Sequence, residues 1–146
     1  MAAAAAAAKL MAIHSKEADI HQGDICKVKA LQVLEEFSVP KGLLPVEEIQ
    51  EMGFNRSTGF LWFKMKKKVE HKFKSIGQTV IYNVEITCFL EKGHLSKLTG
   101  VKAKELMLPV GITDILVGEP SPDTIKFTTA IGVSRSYPAS AFASQD

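Results

Sequence analysis

A tryptophan and five lysines stand at even positions between residues 62 and 74 and form the strongest candidate binding surface of the sequence. On a β-strand, side chains at every second position project from the same face. Lysines beside an aromatic ring can bind phosphate groups, an anionic membrane surface or an acidic protein. The alternative is an ordinary solvated strand face, on which lysines discourage aggregation between sheet edges. The candidate surface consists of Trp62, Lys64, Lys66, Lys68, Lys72 and Lys74.

The histidines are the side chains best suited to acid–base chemistry, but their spacing does not indicate a hydrolase. A hydrolase needs a nucleophile, a base and an orienting acid. No Gly-x-Ser-x-Gly elbow occurs, and the nearest string, residues 132–136, lacks the second glycine. We therefore predict no catalytic residue. Weak ester hydrolysis remains an alternative that would draw on His71, His94, Ser96 and Ser134.

Metal-ligand and cofactor motifs are missing from the sequence. No two histidines or cysteines have ligand spacing, and there is no phosphate-binding glycine loop. We predict neither a metal nor a cofactor. Cys26 falls on a predicted helix and Cys88 on the buried face of a predicted strand, so both are expected to be buried free thiols. Few cysteines favour a reducing compartment, here the cytoplasm.

The composition is that of one globular domain. The chain has 146 residues, a length sufficient to bury a core without disulfides or metals. Apolar residues make up 46% and charged residues 23%, which is typical of globular proteins. Its formal net charge of +2 is too small to predict a nucleic-acid partner. We divide it into a disordered or low-complexity tail (1–22), which holds His14 and His21, a single β-rich domain (23–142) and a short C-terminal tail (143–146).

Alternating apolar and polar residues predict the strands of this domain. The clearest stretch places Asn83, Glu85, Thr87 and Glu91 on a solvated face. It places on the buried face Val80, Tyr82, Val84, Ile86, Cys88 and Leu90. Alternation of this kind is typical of an antiparallel sheet with one side on the core.

The segment that carries the lysines shows the same alternation. Its even positions, including Phe60 and Trp62, are predicted to face solvent, and Lys67 interrupts the odd positions, which predicts a bend or bulge. The odd positions predicted to be buried are Leu61, Phe63, Met65, Val69, His71 and Phe73.

Shorter patterns complete the predicted sheet. Residues 46–54 have a helical spacing at Val46, Ile49 and Met52, but the turn residues at 55–59 favour a strand that pairs across that turn. Residues 95–98 form another predicted strand. Leu106, Leu108, Val110 and Ile112 share a face, and the phase slips to Ile115 and Val117, which predicts a bulge near Thr113 and Asp114. Pro109 predicts an edge or a local distortion. The last strand carries Ile125, Phe127, Thr129, Ile131 and Val133, and the segment after it is anchored by Tyr137 and Phe142.

One helix is predicted before the sheet. Asp24 is a suitable N-cap, and Ser38-Val39-Pro40 ends the helix. Its predicted apolar stripe consists of Ile25, Val28, Leu31, Leu34 and Phe37. The predicted fold class is therefore mainly β, an antiparallel meander curled into a barrel-like sheet with one N-terminal amphipathic helix packed on it.

The interior of such a sheet is the second candidate site. It either encloses a pocket for an apolar ligand or is filled by its own side chains, as small barrels usually are. The candidate pocket-lining residues are Phe63, Phe73, Tyr82 and Phe127.

Four motifs in order give the sequence a resemblance to a known family. They are Gly42-Leu43-Leu44-Pro45, Thr58-Gly59, the string at residues 98–106 and Ser134-Arg135-Ser136-Tyr137-Pro138. The chain resembles the plant domain of unknown function 538 family, near the branch of the smaller-with-variable-branches trichome proteins, over residues 23–142. Related sequences usually carry an aromatic residue where this chain has Pro109.

The resemblance implies a plant protein with a compact β-barrel-like fold and no agreed activity. Proposals for the family include apolar-ligand binding, ester hydrolysis and roles in growth, development and stress. From the one-sided sheet and this resemblance, we expect a non-catalytic module that binds an apolar or amphipathic small molecule or lipid, with an anionic membrane surface as a further candidate partner. The alternatives are a regulatory protein-interaction module with a solid core and a weak carboxylic ester hydrolase. The sequence leaves the oligomeric state open.

Overall fold

The computed structural model describes residues 9–105 and 108–143. The predictions for residues 1–8, Leu106 and residues 144–146 therefore lie outside the described residues. The described chain contains one long helix, α1 (Ile25–Glu36), and a shorter helical stretch at residues 9–14. Its strands are β1 (Asp19–Gln22), β2 (Ile49–Asn55), β3 (Phe60–Met65), β4 (Val69–Phe73), β5 (Gln78–Glu91), β6 (His94–Glu105), β7 (Leu108–Val117), β8 (Thr124–Thr129) and β9 (Ser134–Pro138).

The strands form one antiparallel sheet in the order β1-β2-β3-β5-β6-β7-β8-β9. Strands β3 and β4 share one side of the long strand β5. Strand β4 pairs with the first half of β5, and β3 pairs with its second half. The prediction of a mainly β, antiparallel meander is confirmed. The barrel-like shape is confirmed only in part, because the sheet is not closed into a barrel and no ladder joins β1 to β9 in the described chain.

The concave side of the sheet is closed by other elements instead. Helix α1 packs against β1 and β2, and the loop after it lies over the centre, where the Tyr82 hydroxyl donates to the Leu43 carbonyl at 3.0 Å. At the other end Phe142, in a C-terminal 3-10 turn, is buried against Phe73 and Phe127. The core is thus filled by side chains from both chain ends.

The buried face of α1 differs from the predicted stripe. Ile25 and Val28 are exposed, whereas Cys26, Ala30, Val33 and Leu34 are buried. An α-helix turns once in 3.6 residues, so a run of residues spaced by three drifts steadily around the helix. Positions spaced by four and three keep to one face, and these are the positions that pack on the sheet.

The segment assigned above to an N-terminal tail forms structure from residue 9 onward. After the helical residues 9–14, strand β1 pairs with β2, with Ile20 opposite Gly53. The His14 ring stacks on Phe60 with centroids 5.0 Å apart, and its carbonyl accepts a hydrogen bond from Asn55. This segment therefore covers part of the convex side of the sheet, which the sequence analysis left to solvent.

The long strand β5 follows the predicted alternation over most of its length. Val84, however, is exposed where the pairing of β5 with β6 shifts register between Tyr82 and Thr87. Gly100 lies at this shift with φ +82°, and a Cβ there would come within 2.1 Å of the Glu85 carbonyl oxygen. Thr87 is buried on the convex face, where its register partner on β3 is the buried Trp62. Thr87 is satisfied by a 2.6 Å hydrogen bond to the Thr99 hydroxyl.

The remaining strand predictions are confirmed in part. The hairpin of β2 and β3 forms as predicted, the chain breaks its strand at residues 66–68, and a register shift lies between Ile112 and Asp114. The last predicted strand ends early, since β8 stops at Thr129 and Ile131 and Val133 are exposed in the following turn. The segment after that turn forms a further strand, β9, which pairs with β8.

Candidate functional site at the hairpin end

Trp62 does not belong to an exposed binding surface. Its side chain is only 2% exposed, and its indole N–H donates to the Glu51 carboxylate at 3.2 Å. Leu61 and Phe63 point into the main core, so Phe60 and Trp62 are buried on the opposite, convex face, where His14 stacks on Phe60. The prediction of a solvated tryptophan is wrong because the N-terminal segment covers this part of the sheet.

The five lysines of the predicted surface are not gathered around an aromatic ring. Lys64 forms an ion pair with Glu51 at 3.5 Å. A hydrogen bond from the Gln22 amide, with smaller contributions from Trp62 and Lys64, lowers the pKa of Glu51. The other four lysines are exposed on the connection between β3 and β4, on β4 and in the turn after it: Lys66, Lys68, Lys72 and Lys74.

The residues considered for ester hydrolysis lie apart. His71 lies on β4, His94 and Ser96 on β6, and Ser134 on β9. His94 Nε2 is 3.1 Å from an Asp114 carboxylate oxygen, but the Ser96 hydroxyl donates to the Phe89 carbonyl. No hydrogen bond joins a serine hydroxyl to a histidine in residues 9–105 and 108–143, so the described chain holds no assembled triad.

The two thiols are free and buried, as predicted. Burial raises the pKa of Cys88 to about 12, and burial also raises the pKa of Cys26, whose thiol donates to the His21 carbonyl. A thiol with a raised pKa is a poor nucleophile because the thiolate is the reactive form. Across the described residues, no group of three or more His, Cys, Asp or Glu side chains is placed to hold a metal ion.

The predicted pocket lining is mostly core. Phe63, Phe73 and Tyr82 are buried in the filled interior. Phe127 also borders a cavity, which lies near one end of the concave face. Phe142, the predicted anchor of the C-terminal segment, forms part of the same lining.

That end of the sheet, which we call the hairpin end, holds two strand turns and the start of β7. It comprises the β4–β5 turn (74–77), the start of β7 at Leu108 and the β8–β9 turn (130–133). The backbone brings the second and third together, since Ile112 pairs with Thr129 and the Ala130 N–H donates to the Gly111 carbonyl at 2.8 Å.

A small cleft opens at the hairpin end between the concave face and the C-terminal turn. Its volume is about 20 Å³, which is room for about one water molecule. The floor is apolar and includes Val80, Ala103, Ile112, Phe127 and Phe142, and the polar lining is Gln78, Thr129, Arg135 and Tyr137.

The polar groups of the cleft are fixed by strand register. Arg135 is exposed and is the direct partner of Phe127 across β8 and β9, so both lie on the concave face. The Gln78 amide donates to the Lys104 carbonyl at 2.9 Å, and its oxygen accepts from the Tyr137 hydroxyl at 3.4 Å. One guanidinium group therefore stands beside an apolar floor.

Three exposed apolar side chains, which we call the rim, lie at the hairpin end outside the lining of the cleft. Leu108 is 68% exposed, Ile131 67% and Val133 41%. Leu108 shares a strand face with Ile112 of the cleft floor, so the apolar face of β7 continues past the core to the rim. The sequence pattern marked these side chains as apolar strand positions. Ile131 and Val133 are exposed because β8 ends at Thr129, before the predicted end of that strand. Leu108 is exposed because β8 pairs with β7 only from Ile112 onward.

An apolar floor, an apolar rim and one cation suit an amphipathic molecule with an acidic headgroup. Such a ligand can place its apolar part on the rim and cleft and its anion on Arg135.

Within the described chain, no helix has the length and apolar character of a membrane-spanning segment.

Comparison with known proteins gives a family and no assigned activity. No curated protein and no solved structure matches the chain. The family model described as "Protein of unknown function, DUF538" matches residues 30–143, which covers α1 from Ala30 and every strand after it. The chain therefore belongs to the domain of unknown function 538 family.

Proposed function

We propose that this chain is a non-catalytic module that binds an amphipathic molecule with an acidic headgroup at the hairpin end. The observation that carries the proposal is the position of Arg135, whose register places a cation on the same concave face as Phe127. A charge-assisted hydrogen bond from a guanidinium group is a strong and geometrically specific way to hold a carboxylate or phosphate. The exposed rim gives the apolar part of the ligand a surface to cover.

The size of the cleft decides which kind of ligand fits. A space of about 20 Å³ is far below the roughly 300–1,000 Å³ of sites that enclose a drug-sized ligand. The ligand is therefore a molecule that places one end in the cleft and lies along the rim, over Leu108, Ile131 and Val133. An amphiphile with a single chain fits this description better than a lipid that must be fully enclosed.

The proposal includes a cytoplasmic location in a plant cell, with a role in development or stress. The two free buried thiols are compatible with a reducing compartment, and the resemblance to the trichome proteins supports a plant origin.

A regulatory protein-interaction module is the second candidate function. The filled core favours it, because a solid interior leaves only the surface for recognition. The interaction surface suggested by the sequence included Trp62, which is buried, so an interaction module would have to use other exposed residues. Binding of a soluble amphiphile to purified protein separates the two candidates.

Native mass spectrometry with dodecyl phosphate tests the proposed function. We expect the protein to retain the amphiphile, and we expect Arg135→Ala to weaken retention by about tenfold, which corresponds to the loss of about 1.4 kcal/mol. Ala103→Leu, which fills the cleft floor, should weaken it as well. Lys92→Ala, an exposed lysine in the β5–β6 turn, is the matched control and should bind like the unmodified chain.

Equal retention by Arg135→Ala and the unmodified chain would overturn the assignment of the headgroup to Arg135. Absence of any retained amphiphile, with no uptake from a lipid extract, would overturn the proposed function as a whole.

A further inference from the structure

We infer that the hairpin end docks on an anionic lipid bilayer, with Leu108, Ile131 and Val133 entering the headgroup region. This inference rests on the proposed function and deepens it, because it states that the amphipathic molecules are met as a membrane surface. Three features of the molecule support it: the exposed apolar side chains, the charges around them and the small size of the cleft.

Two apolar side chains of the hairpin end, Leu108 and Ile131, are more exposed than the exposed apolar side chains elsewhere in the sheet. Leu108 and Ile131 are 68% and 67% exposed, whereas Val84, the exposed apolar residue of the central strand, is 47% exposed. Leu108 begins β7, and Ile131 lies in the β8–β9 turn at the same end of the sheet. Large exposed apolar residues grouped at one end of a molecule mark an interaction site.

The charges near these side chains are mainly positive. Three lysines lie on the convex side in the last strand pairs before the hairpin end. Lys72 is the register partner of Thr79. Lys104 is the partner of Pro109, and Lys102 is the partner of Gly111. On the concave side Arg135 stands next to the β8–β9 turn. The acidic residues in these strand pairs are Glu70, which is ion-paired with Lys104, and Glu105, which lies opposite Leu108.

This arrangement complements an anionic bilayer. Basic residues near a membrane surface are attracted by acidic headgroups, and the apolar side chains ahead of them can bury their surface among the lipids. The long stems of the lysines allow their charges to reach the headgroups while the apolar residues go deeper. Lys74, in the β4–β5 turn, adds a further cation at the same end.

The small cleft favours a bilayer over an extracted lipid. At about 20 Å³ it has no room for the two acyl chains of a membrane phospholipid, whereas docking on a bilayer leaves those chains in the membrane. The cleft then receives at most the end of one apolar group, and Arg135 contacts a headgroup at the surface.

Vesicle co-sedimentation of the full chain tests the inference. Vesicles of phosphatidylcholine alone are compared with an equal mixture of phosphatidylcholine and phosphatidylserine. We expect the chain to sediment with the mixed vesicles, to release from them as salt rises, and to bind the neutral vesicles at least about tenfold more weakly.

The double variant Leu108→Asp with Ile131→Asp should lose binding to the mixed vesicles by at least about tenfold. Both positions are exposed, so the variant should keep its fold, which circular dichroism checks. Ile20→Asp is the matched control, because Ile20 is 46% exposed on β1 at the far edge of the sheet. This variant should bind like the unmodified chain.

Three results would overturn the inference: equal binding to both vesicle types, unchanged binding by the folded double variant, or sedimentation without vesicles, which would indicate association between copies of the chain. If the chain retains dodecyl phosphate but ignores the mixed vesicles, the inference fails and the proposed function stands. If it binds neither, both fail.

Discussion

The indole ring of Trp62 lies over the α-carbon of Gly53, its register partner on β2. A Cβ at residue 53 would come within 2.2 Å of two ring carbons, so glycine is the residue that lets the tryptophan lie flat on the sheet. We expect Gly53→Ala to lower the free energy of unfolding by about 1–3 kcal/mol, because the ring or the strand must move. Urea denaturation measures the change.

Gly111→Ala is the control for this substitution. Gly111 also lies in a strand, but an added Cβ would be 3.9 Å from the nearest atom, the Cβ of Ala130. Its free energy of unfolding should stay within about 0.5 kcal/mol of the unmodified chain. Equal stability of the two variants would mean that the Trp62 ring is not held against β2.

Removal of residues 1–14 should change the environment of Trp62, the only tryptophan of the chain. The deletion takes His14 from the Phe60 ring, and Phe60 packs beside Trp62 with centroids 5.9 Å apart. We expect the tryptophan emission to move to longer wavelength and acrylamide to quench it more strongly. Ile13→Ser, at an exposed position of the same segment, should leave the emission unchanged. If the emission spectrum does not change after the deletion, the N-terminal segment does not cover the convex face at Trp62.

The pH dependence of stability should include a contribution from Glu51. The pKa of Glu51 in the folded chain is lowered from 4.5, chiefly by the Gln22 hydrogen bond. A lowered pKa means that the stabilisation is fully present above about pH 4.5 and is lost as pH falls through the folded-state pKa. Denaturation curves of Glu51→Gln should show a shallower loss of stability in this acid range than those of the unmodified chain.

Glu47→Gln removes an exposed carboxylate at another place and should keep the acid dependence of the unmodified chain. If stability falls equally with acid pH in Glu51→Gln and in the unmodified chain, then Glu51 is not held by Gln22, Trp62 and Lys64.

The thiols should react only when the chain unfolds. Cys26 is fully buried, and burial raises the pKa of Cys88 to about 12, so neither offers an accessible thiolate near neutral pH. With Ellman's reagent we expect negligible reaction in native buffer and two equivalents in denaturant. Rapid modification of Cys88 in native buffer would contradict its placement in the core.

The sequence pattern located the strands better than it located their partners. The alternation along β5 and the phase slip after Ile112 are local signals, and both appear in the structure. The burial of Trp62 depends on a segment about fifty positions earlier in the chain, whose alanine-rich start offered no periodic signal. The exposed state of Ile131 depends on the turn at Gly132, which has φ +83° and ends β8.

The candidate site was largely beyond sequence reasoning for the same reason. Phe127 was recognised as a lining residue because its apolar strand pattern is local. Arg135 was not recognised, since its place beside Phe127 comes from the pairing of β8 with β9, and β9 was not predicted. Pro109 was correctly expected at a distortion or edge, because β8 pairs with β7 only from Ile112 onward.

An amide chemical-shift titration of the full chain with dodecyl phosphate locates the bound amphiphile residue by residue. We expect saturable shifts concentrated at the hairpin end, at Leu108, Ile112, Thr129, Arg135 and Tyr137, with the amides of β1 and α1 unchanged. Saturable shifts centred on Trp62 and Lys64, or no shifts at concentrations below micelle formation, would contradict binding at the hairpin end.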